Sequence, residues 1–373
     1  MGNSLMAICI EQGSIMKNTL RQAHPHHTAL DGLFRYASIL NFGEIHVKFD
    51  QATGLKAIVA IHNLKRGPAI GGCRLIHYSN ADAALEDALR LSYMMSLKAA
   101  ISNLPHGGAK AVIIKPKVIK DRKAYLEAFG DFVHELGGRY ITAMDSGTTL
   151  SDMSIIATRT PYVTSTNSPG IDGDPSPQTA HGVLRGIEAA VKFKLKKNNL
   201  EGVHVAIQGA GHVGYFLAKE LKKSGARLTV CDVNQAALQR CVDEFGVTVC
   251  SPEAIYDIKA DVFAPCALGS VLNLQTIKRL RVPIVAGSAN NQLAHNHYGA
   301  ILHERGILYA PDFLINAGGL IYVAALYDHA DYQKAINQVS DIYQTSMLIF
   351  ERSIAENCAT NKIAEMIALE RLR

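Results

Sequence analysis

HVAIQGAGHVGYFLAKELKKSGARLTVCD, residues 204–232, is the stretch on which the fold turns. Its first five residues form an apolar run of strand length, 212–223 carry a helical period, and RLTVC returns to β-rich apolar residues. Between the first strand and the helix stand Gly209, Ala210, Gly211, His212, Val213 and Gly214, the G-x-G-x-x-G spacing of a dinucleotide turn. The first glycine permits the tight turn, the second lets the backbone approach a pyrophosphate, and the third lets helix and strand pack closely. The pyrophosphate would sit on the helix N-terminus, where unpaired N–H groups and the dipole favour anions. Asp232 ends the next strand, where a carboxylate accepts hydrogen bonds from the adenosine ribose and repels a 2′-phosphate, so NAD is favoured over NADP. Capping of the following helix is the other use open to Asp232. The fingerprint implies a dinucleotide and leaves the reaction open.

Outward from this stretch, DVFAPC at 261–266 and PIVAGS at 283–288 continue an alternation of short apolar strands and helices, which predicts a parallel, doubly wound sheet. The Gly- and Pro-rich segment SPGIDGDPSPQ, 168–178, reads as the linker between this domain and the one before it. Before it, HVKFD (46–50) and LKAIVAIH (55–62) read as strands, and NADAALEDALRLSYMMSLKAA (80–100) as a long helix. HGGAK at 106–110 reads as a Gly-rich turn into the buried strand AVII, 111–114. Residues 1–30, with His24, His26 and His27, read as an N-terminal extension.

The expected fold class is α/β with two domains: an N-terminal mixed α/β domain and a C-terminal Rossmann domain. The length, 373 residues, suits two cores. The net charge of +5 and the absence of a basic stripe argue against a dedicated nucleic-acid binder. Residues 313–327 are apolar but shorter than the ~20 residues of a membrane span, so no membrane is expected, and no targeting signal is read at the N-terminus. The seven cysteines form no C-x-x-C pair and predict reduced thiols in a cytoplasmic protein. His295, His297 and His303 lack companions at zinc spacing, and no metal is expected.

Two lysines of the N-terminal half draw notice. Lys98 ends the long helix, where a solvated C-terminal charge is the ordinary reading. Lys110 follows the Gly107–Gly108 pair. Together, MSLKAA (95–100), HGGAK and TAMDSGTT (142–149), with its Asp145, closely resemble blocks of the glutamate, leucine, phenylalanine and valine dehydrogenase family. GPAIGGCR (67–74), DPSPQTAHG (174–182), DVFAPCALG (261–269), GSANNQL (287–293) and APDFLINAGG (310–319) extend the resemblance, in family order, over residues 40–330. The leucine dehydrogenase branch is the most similar.

The resemblance implies the following assignments. Residues 31–170 would form the substrate-binding and oligomerisation domain, joined by C-terminal helices at 341–373, with 171–340 as the NAD-binding domain and a cleft between them. Lys110 would be the catalytic lysine, Asp145 would assist proton transfer, and Lys98 would hold the substrate α-carboxylate. A second ammonium and a dry cleft would bring the Lys110 pKa down from about 10.4 toward the working range. Asn291 would help fix the substrate carboxylate and amine, and Thr179 and Asn290 would lie beside the nicotinamide ribose, with turn capping as their ordinary alternative. Cys266 and Ala267 fall in a cofactor block. Gly71 and Gly72 would border the substrate, and Ile70, Met95, Leu320 and Val323 would line its side-chain pocket.

Glutamate-specific relatives carry a lysine where this chain has Ile70, so a γ-carboxylate would go unpaired at a cost of roughly several kcal/mol. The implied activity is therefore NAD-dependent, reversible oxidative deamination of leucine, valine and isoleucine to 2-oxo acids and ammonia, by a homo-oligomer between dimer and octamer. Met144, Ala109, Tyr322 and Ala325 depart from the family pattern. A valine- or phenylalanine-preferring enzyme and a catalytically degraded NAD-binding regulator are the alternatives.

Overall fold

The structure, a computed structural model, describes residues 42–164, 166, 173–267, 269–329 and 332–373. The N-terminal extension and much of the linker therefore lie outside the described residues. The chain divides into two compact units: one reaches to Ser96 and resumes at Gly107–Tyr162, and the other comprises Leu97–His106 and Val163–Arg373.

In the first unit, β1 (Glu44–Asp50) and β2 (Leu55–Asn63) form an antiparallel hairpin, followed by β3 (Ala69–Ile76), α1 (Ala81–Ile101), β4 (Gly107–Ile114), α2 (Arg122–Glu135), β5 (Tyr140–Met144) and α3 (Leu150–Ala157). The sheet order is β1-β2-β4-β3-β5, with β4, β3 and β5 mutually parallel where adjacent. Ala84, Ala88 and Leu89 of α1 pack on Ile58, Ala60 and Val112, the two small residues letting the helix lie close to the sheet.

The Gly-rich segment expected as a turn is instead strand. Gly107 and Gly108 open β4 without a positive φ, paired with Ala69 and Ile70 of β3. A Cβ on Gly108 would overlap the Ser96 backbone nitrogen, and one on Gly107 the Asn63 carbonyl oxygen. The glycines serve close approach of backbones rather than a reversal. The same reason places the Gly71–Gly72 pair inside β3, a strand that the sequence pattern does not announce.

The second unit opens with α4 (Ser176–Leu195) and continues β6 (His204–Gln208), α5 (His212–Lys223), β7 (Arg227–Cys231), α6 (Gln235–Phe245), β8 (Thr248–Val249), β9 (Val262–Pro265), α7 (Leu274–Arg279), β10 (Ile284–Val285), α8 (Tyr298–Glu304) and β11 (Leu308–Tyr309). The short α9 (Asp312–Ile315) and then α10 (Gly318–Tyr327), α11 (Tyr332–Ser340), α12 (Ile342–Ala355) and α13 (Thr360–Arg371) complete it. Six parallel strands run in the order β11-β10-β9-β6-β7-β8, so the chain reverses direction across the sheet between β6 and β9. In such sheets the carboxyl ends of the two strands at the reversal border the ligand crevice.

Residues 341–373, expected with the first domain, group instead with this unit. Phe350 of α12 meets Phe193 of α4 with ring centroids 5.4 Å apart, and Ile342 lies over Gly182. The grouping also changes at Tyr162–Val163, ahead of the proposed linker. No described helix is long and apolar enough to cross a membrane. The apolar stretch 313–327 is broken between α9 and α10 at Asn316 and Ala317.

Candidate active site

At the reversal point, each glycine of the turn has its own surroundings. Gly209 holds φ +106°, open to glycine at little cost, and a Cβ there would stand 2.8 Å from the Ala267 nitrogen. A Cβ on Gly214 would overlap the Gly209 carbonyl oxygen, so α5 packs against the turn only because that residue is glycine. A Cβ on Gly211, in contrast, would meet nothing within 4 Å. Gly211 is also the N-cap of α5, with no side chain capping the helix. Open space in front of uncapped N–H groups fits a pyrophosphate. His212 is exposed and Val213 half-buried in the first turn of the helix. Cys266 donates its N–H to Gln208 O at 2.7 Å, fixing the loop after β9 beside the turn.

Asp232 ties this loop together: its Oδ2 accepts from Ala210 N–H at 2.6 Å and its Oδ1 from Asn234 N–H at 2.7 Å. Capping of α6 falls to Asn234, whose side chain accepts from Ala236 and Ala237. The helix-cap use considered for Asp232 is thus taken by its neighbour.

In the first unit, Lys110 projects from the middle of β4 and is 5% exposed. Its Nζ lies 2.8 Å from Asp145 Oδ2, just past the end of β5. The connection runs across β3, where a Cβ on Gly72 would stand 2.7 Å from the Asp145 Cβ. Gly72 therefore makes the room that Asp145 occupies. Burial pushes the Asp145 carboxyl up, but the Lys110 ammonium and the Arg74 guanidinium outweigh it and hold the group at about 2. Ile70 is fully buried in β3, and Met95 is half-buried on α1.

In the second unit, Lys98 is not simply a solvated helix end: its Nζ donates to Asn290 Oδ1 at 3.4 Å. The same oxygen accepts from Asn316 Nδ2 at 2.8 Å, and Asn316 also donates to Ser288 O at 3.0 Å. Asn291 adopts a left-handed backbone, φ +52°, which asparagine tolerates better than most residues. Burial raises the Asp312 carboxyl, opposed by the N–H groups of Gln292 and Phe313 and by the Lys98 charge. Thr179 donates to Pro175 O at 2.9 Å in the first turn of α4, and a Cβ on Gly319 would overlap its Oγ1. Leu320 and Val323 are buried on α10.

Sequence reasoning passes over Arg74, Asn316 and Asp312, although all three stand in blocks that resemble the family. Only their partners, distant in the chain, mark them. His295 and His297 stack on one another with centroids 5.5 Å apart, and no cluster of three His, Cys, Asp or Glu that could hold a metal ion exists among the described residues. The six described cysteines are free.

A parallel sheet with a glycine turn at its reversal point is the arrangement of a dinucleotide-binding domain. Residues 41–162 match the family model described as Glu/Leu/Phe/Val dehydrogenase, dimerisation domain, and residues 232–364 match Glutamate/Leucine/Phenylalanine/Valine dehydrogenase. A leucine dehydrogenase of Bacillus cereus is 45% identical over 342 residues, 91% of this chain and 93% of that protein. The crystal structure of L-tryptophan dehydrogenase from Nostoc punctiforme superposes with TM-score 0.80 at 40% identity, covering 91% of this chain and 98% of the other. The hetero-hexameric glutamate dehydrogenase from Thermus thermophilus, at 22% identity and TM-score 0.74 over 100% of this chain and 96% of its own, shares the fold. The chain belongs to the Glu/Leu/Phe/Val dehydrogenase family and is an amino acid dehydrogenase using a nicotinamide cofactor.

Proposed function

We propose that this enzyme catalyses the reversible oxidative deamination of branched-chain aliphatic L-amino acids with NAD, giving 2-oxo acids and ammonia. The observation that carries the reading is the buried Lys110–Asp145 pair, 2.8 Å apart, on a sheet opened by paired glycines. A bound nicotinamide supplies the acceptor for the hydride leaving Cα. The Lys98 ammonium, oriented by Asn290, takes the substrate α-carboxylate, and Asn291 steadies the amine. Lys110 Nζ, as the free amine, accepts a proton from the water that attacks the substrate iminium carbon, returns it to the nitrogen that departs as ammonia, and takes the hydroxyl proton as the 2-oxo carbonyl forms. Asp145 stays ionised through the cycle and stabilises each protonated state of Lys110. Thr179 and Asn290 would lie beside the nicotinamide ribose, and Gly209, Gly211, Gly214, Cys266 and Ala267 would wall the dinucleotide site.

Ile70, Met95, Leu320 and Val323 supply aliphatic surface for the substrate side chain, and Ile70 offers a γ-carboxylate no cation. Asp232, already acting as an acceptor for two N–H groups, repels a 2′-phosphate. We also assign the enzyme to the cytoplasm and to a homo-oligomer built on the unit whose family description names dimerisation.

The deciding experiment is a panel of L-amino acids with NAD and NADP, followed by reduced-cofactor absorbance. Leucine, isoleucine and valine should turn over, with glutamate roughly 10³-fold worse and NAD roughly tenfold better than NADP in kcat/KM. Tryptophan and phenylalanine belong in the panel because similar enzymes bear their names. A preference for either aromatic, or efficient use of glutamate, overturns the aliphatic assignment.

A further inference from the structure

Arg74 has no role in the chemistry above, yet its guanidinium bridges two carboxylates of the first unit. Nε donates to Asp145 Oδ2 at 3.0 Å and Nη1 donates to Asp87 Oδ2 at 2.8 Å. Asp87 is itself held, accepting from the Tyr78 hydroxyl at 2.7 Å on Oδ2 and from Arg90 Nη2 at 3.3 Å on Oδ1. The remaining titratable groups facing Asp145 are the Cys73 thiol on β3, pushed up to about 11 by burial, and the Tyr140 phenol on β5, raised by burial as well. Both are neutral at working pH.

Lys110 and Arg74 therefore meet on a single Asp145 oxygen from two neighbouring strands. The carboxylate torsion is soft and two-fold, so one flexible ammonium alone would leave the group free to turn. A planar guanidinium anchored at its far end removes that freedom. Among the described residues, no hydrogen bond is made to Asp145 Oδ1. A buried ion-pair chain adds little net stability, so its orienting effect is the property that distinguishes it from apolar packing.

We propose that Arg74, anchored by Asp87, is a positioning residue that turns the Asp145 carboxylate so that Oδ2 engages Lys110 while Oδ1 is presented as a hydrogen-bond acceptor that orients water. The role rests on the lysine–aspartate chemistry proposed above.

The test compares Arg74→Met, Arg74→Lys and Asp87→Asn with the unaltered enzyme. Arg74→Met should lower kcat by about 10–100-fold while both KM values change less than about threefold. The acid limb of its kcat/KM profile should move to higher pH, because the Lys110–Asp145 pair loses a positive neighbour and holds its proton more tightly. Arg74→Lys should recover part of the loss, since an ammonium reaches one carboxylate but cannot bridge two. Asp87→Asn keeps the guanidinium but frees its far end, and should lower kcat by less while the acid limb moves to lower pH because an anion is lost, and it carries the test if Arg74→Met does not fold. An unmoved acid limb, or activity lost only in step with thermal stability, overturns the role. Were the unaltered enzyme to oxidise no amino acid, the proposed function would fall. Acetylation of Lys110 by acetic anhydride, read by mass spectrometry, would then decide the positioning role alone: it must require higher pH in Arg74→Met, and an identical pH dependence refutes it.

Discussion

The two units use glycine for opposite purposes. In the second, Gly209 adopts φ +106° and turns the chain, and Gly211 leaves empty space in front of a helix. In the first, Gly71, Gly72, Gly107 and Gly108 sit inside extended strands, where the missing side chain admits a neighbour: Ser96 beside Gly108, Asp145 beside Gly72. Gly211 leaves space in which a ligand could sit, whereas the strand glycines of the first unit make room for backbone and, at Gly72, for a side chain already present. Substitution in the strands of the first unit should therefore impair catalysis through the fold, and substitution at Gly211 through binding alone.

The largest effect expected in the lysine–aspartate region is Lys110→Ala, which should lower kcat by about 10²–10⁴ while the dissociation constant for NAD, read by fluorescence titration, stays near its original value. Retention of more than half of the turnover would remove Lys110 from the chemistry. A paired substitution bears on the comparison directly. Gly72→Ala forces a Cβ to within 2.7 Å of the Asp145 Cβ and should cost about 1–3 kcal/mol of stability along with kcat. Gly211→Ala meets nothing and should leave stability within about 0.5 kcal/mol, with weaker NAD binding as its main effect. Equal losses of stability would break the distinction between the two glycine sets.

The third prediction concerns acid. Asp145 sits at about 2 in the folded chain against an ordinary 3.8. Because the folded value is depressed, its contribution of about 2 kcal/mol is present above the unfolded value and lost as pH falls from about 5 through 2. Denaturant titrations should show the gap between the unaltered protein and Asp145→Asn narrowing over that window, and a constant gap would contradict the ion-pair origin. The smallest effect belongs to the side-chain pocket. Leu320→Val would enlarge the proposed pocket by about one methylene and should raise the leucine-to-valine kcat/KM ratio by a few-fold, an unchanged ratio excluding contact between Leu320 and the substrate.

What the sequence determined by itself was local or periodic. The strand–glycine–helix order at 204–223 fixes a dinucleotide turn because the conformational demands lie within a few consecutive residues, and the alternation beyond it implies a parallel sheet. The ordered blocks around Lys98, Lys110 and Asp145 marked the family. Tertiary structure alone decided that HGGAK is the start of a strand, since whether a glycine turns or makes room depends on Ser96 and Asn63, which come from other elements. It alone paired Arg74 with Asp145 and Asp87, 71 and 13 positions away, and Asn316 with Asn290, 26 positions away. It also grouped the last helices with the second unit, through Phe350 against Phe193. Contacts of that kind leave no period and no local motif, because the free energy that selects them is realised only when distant segments are packed together.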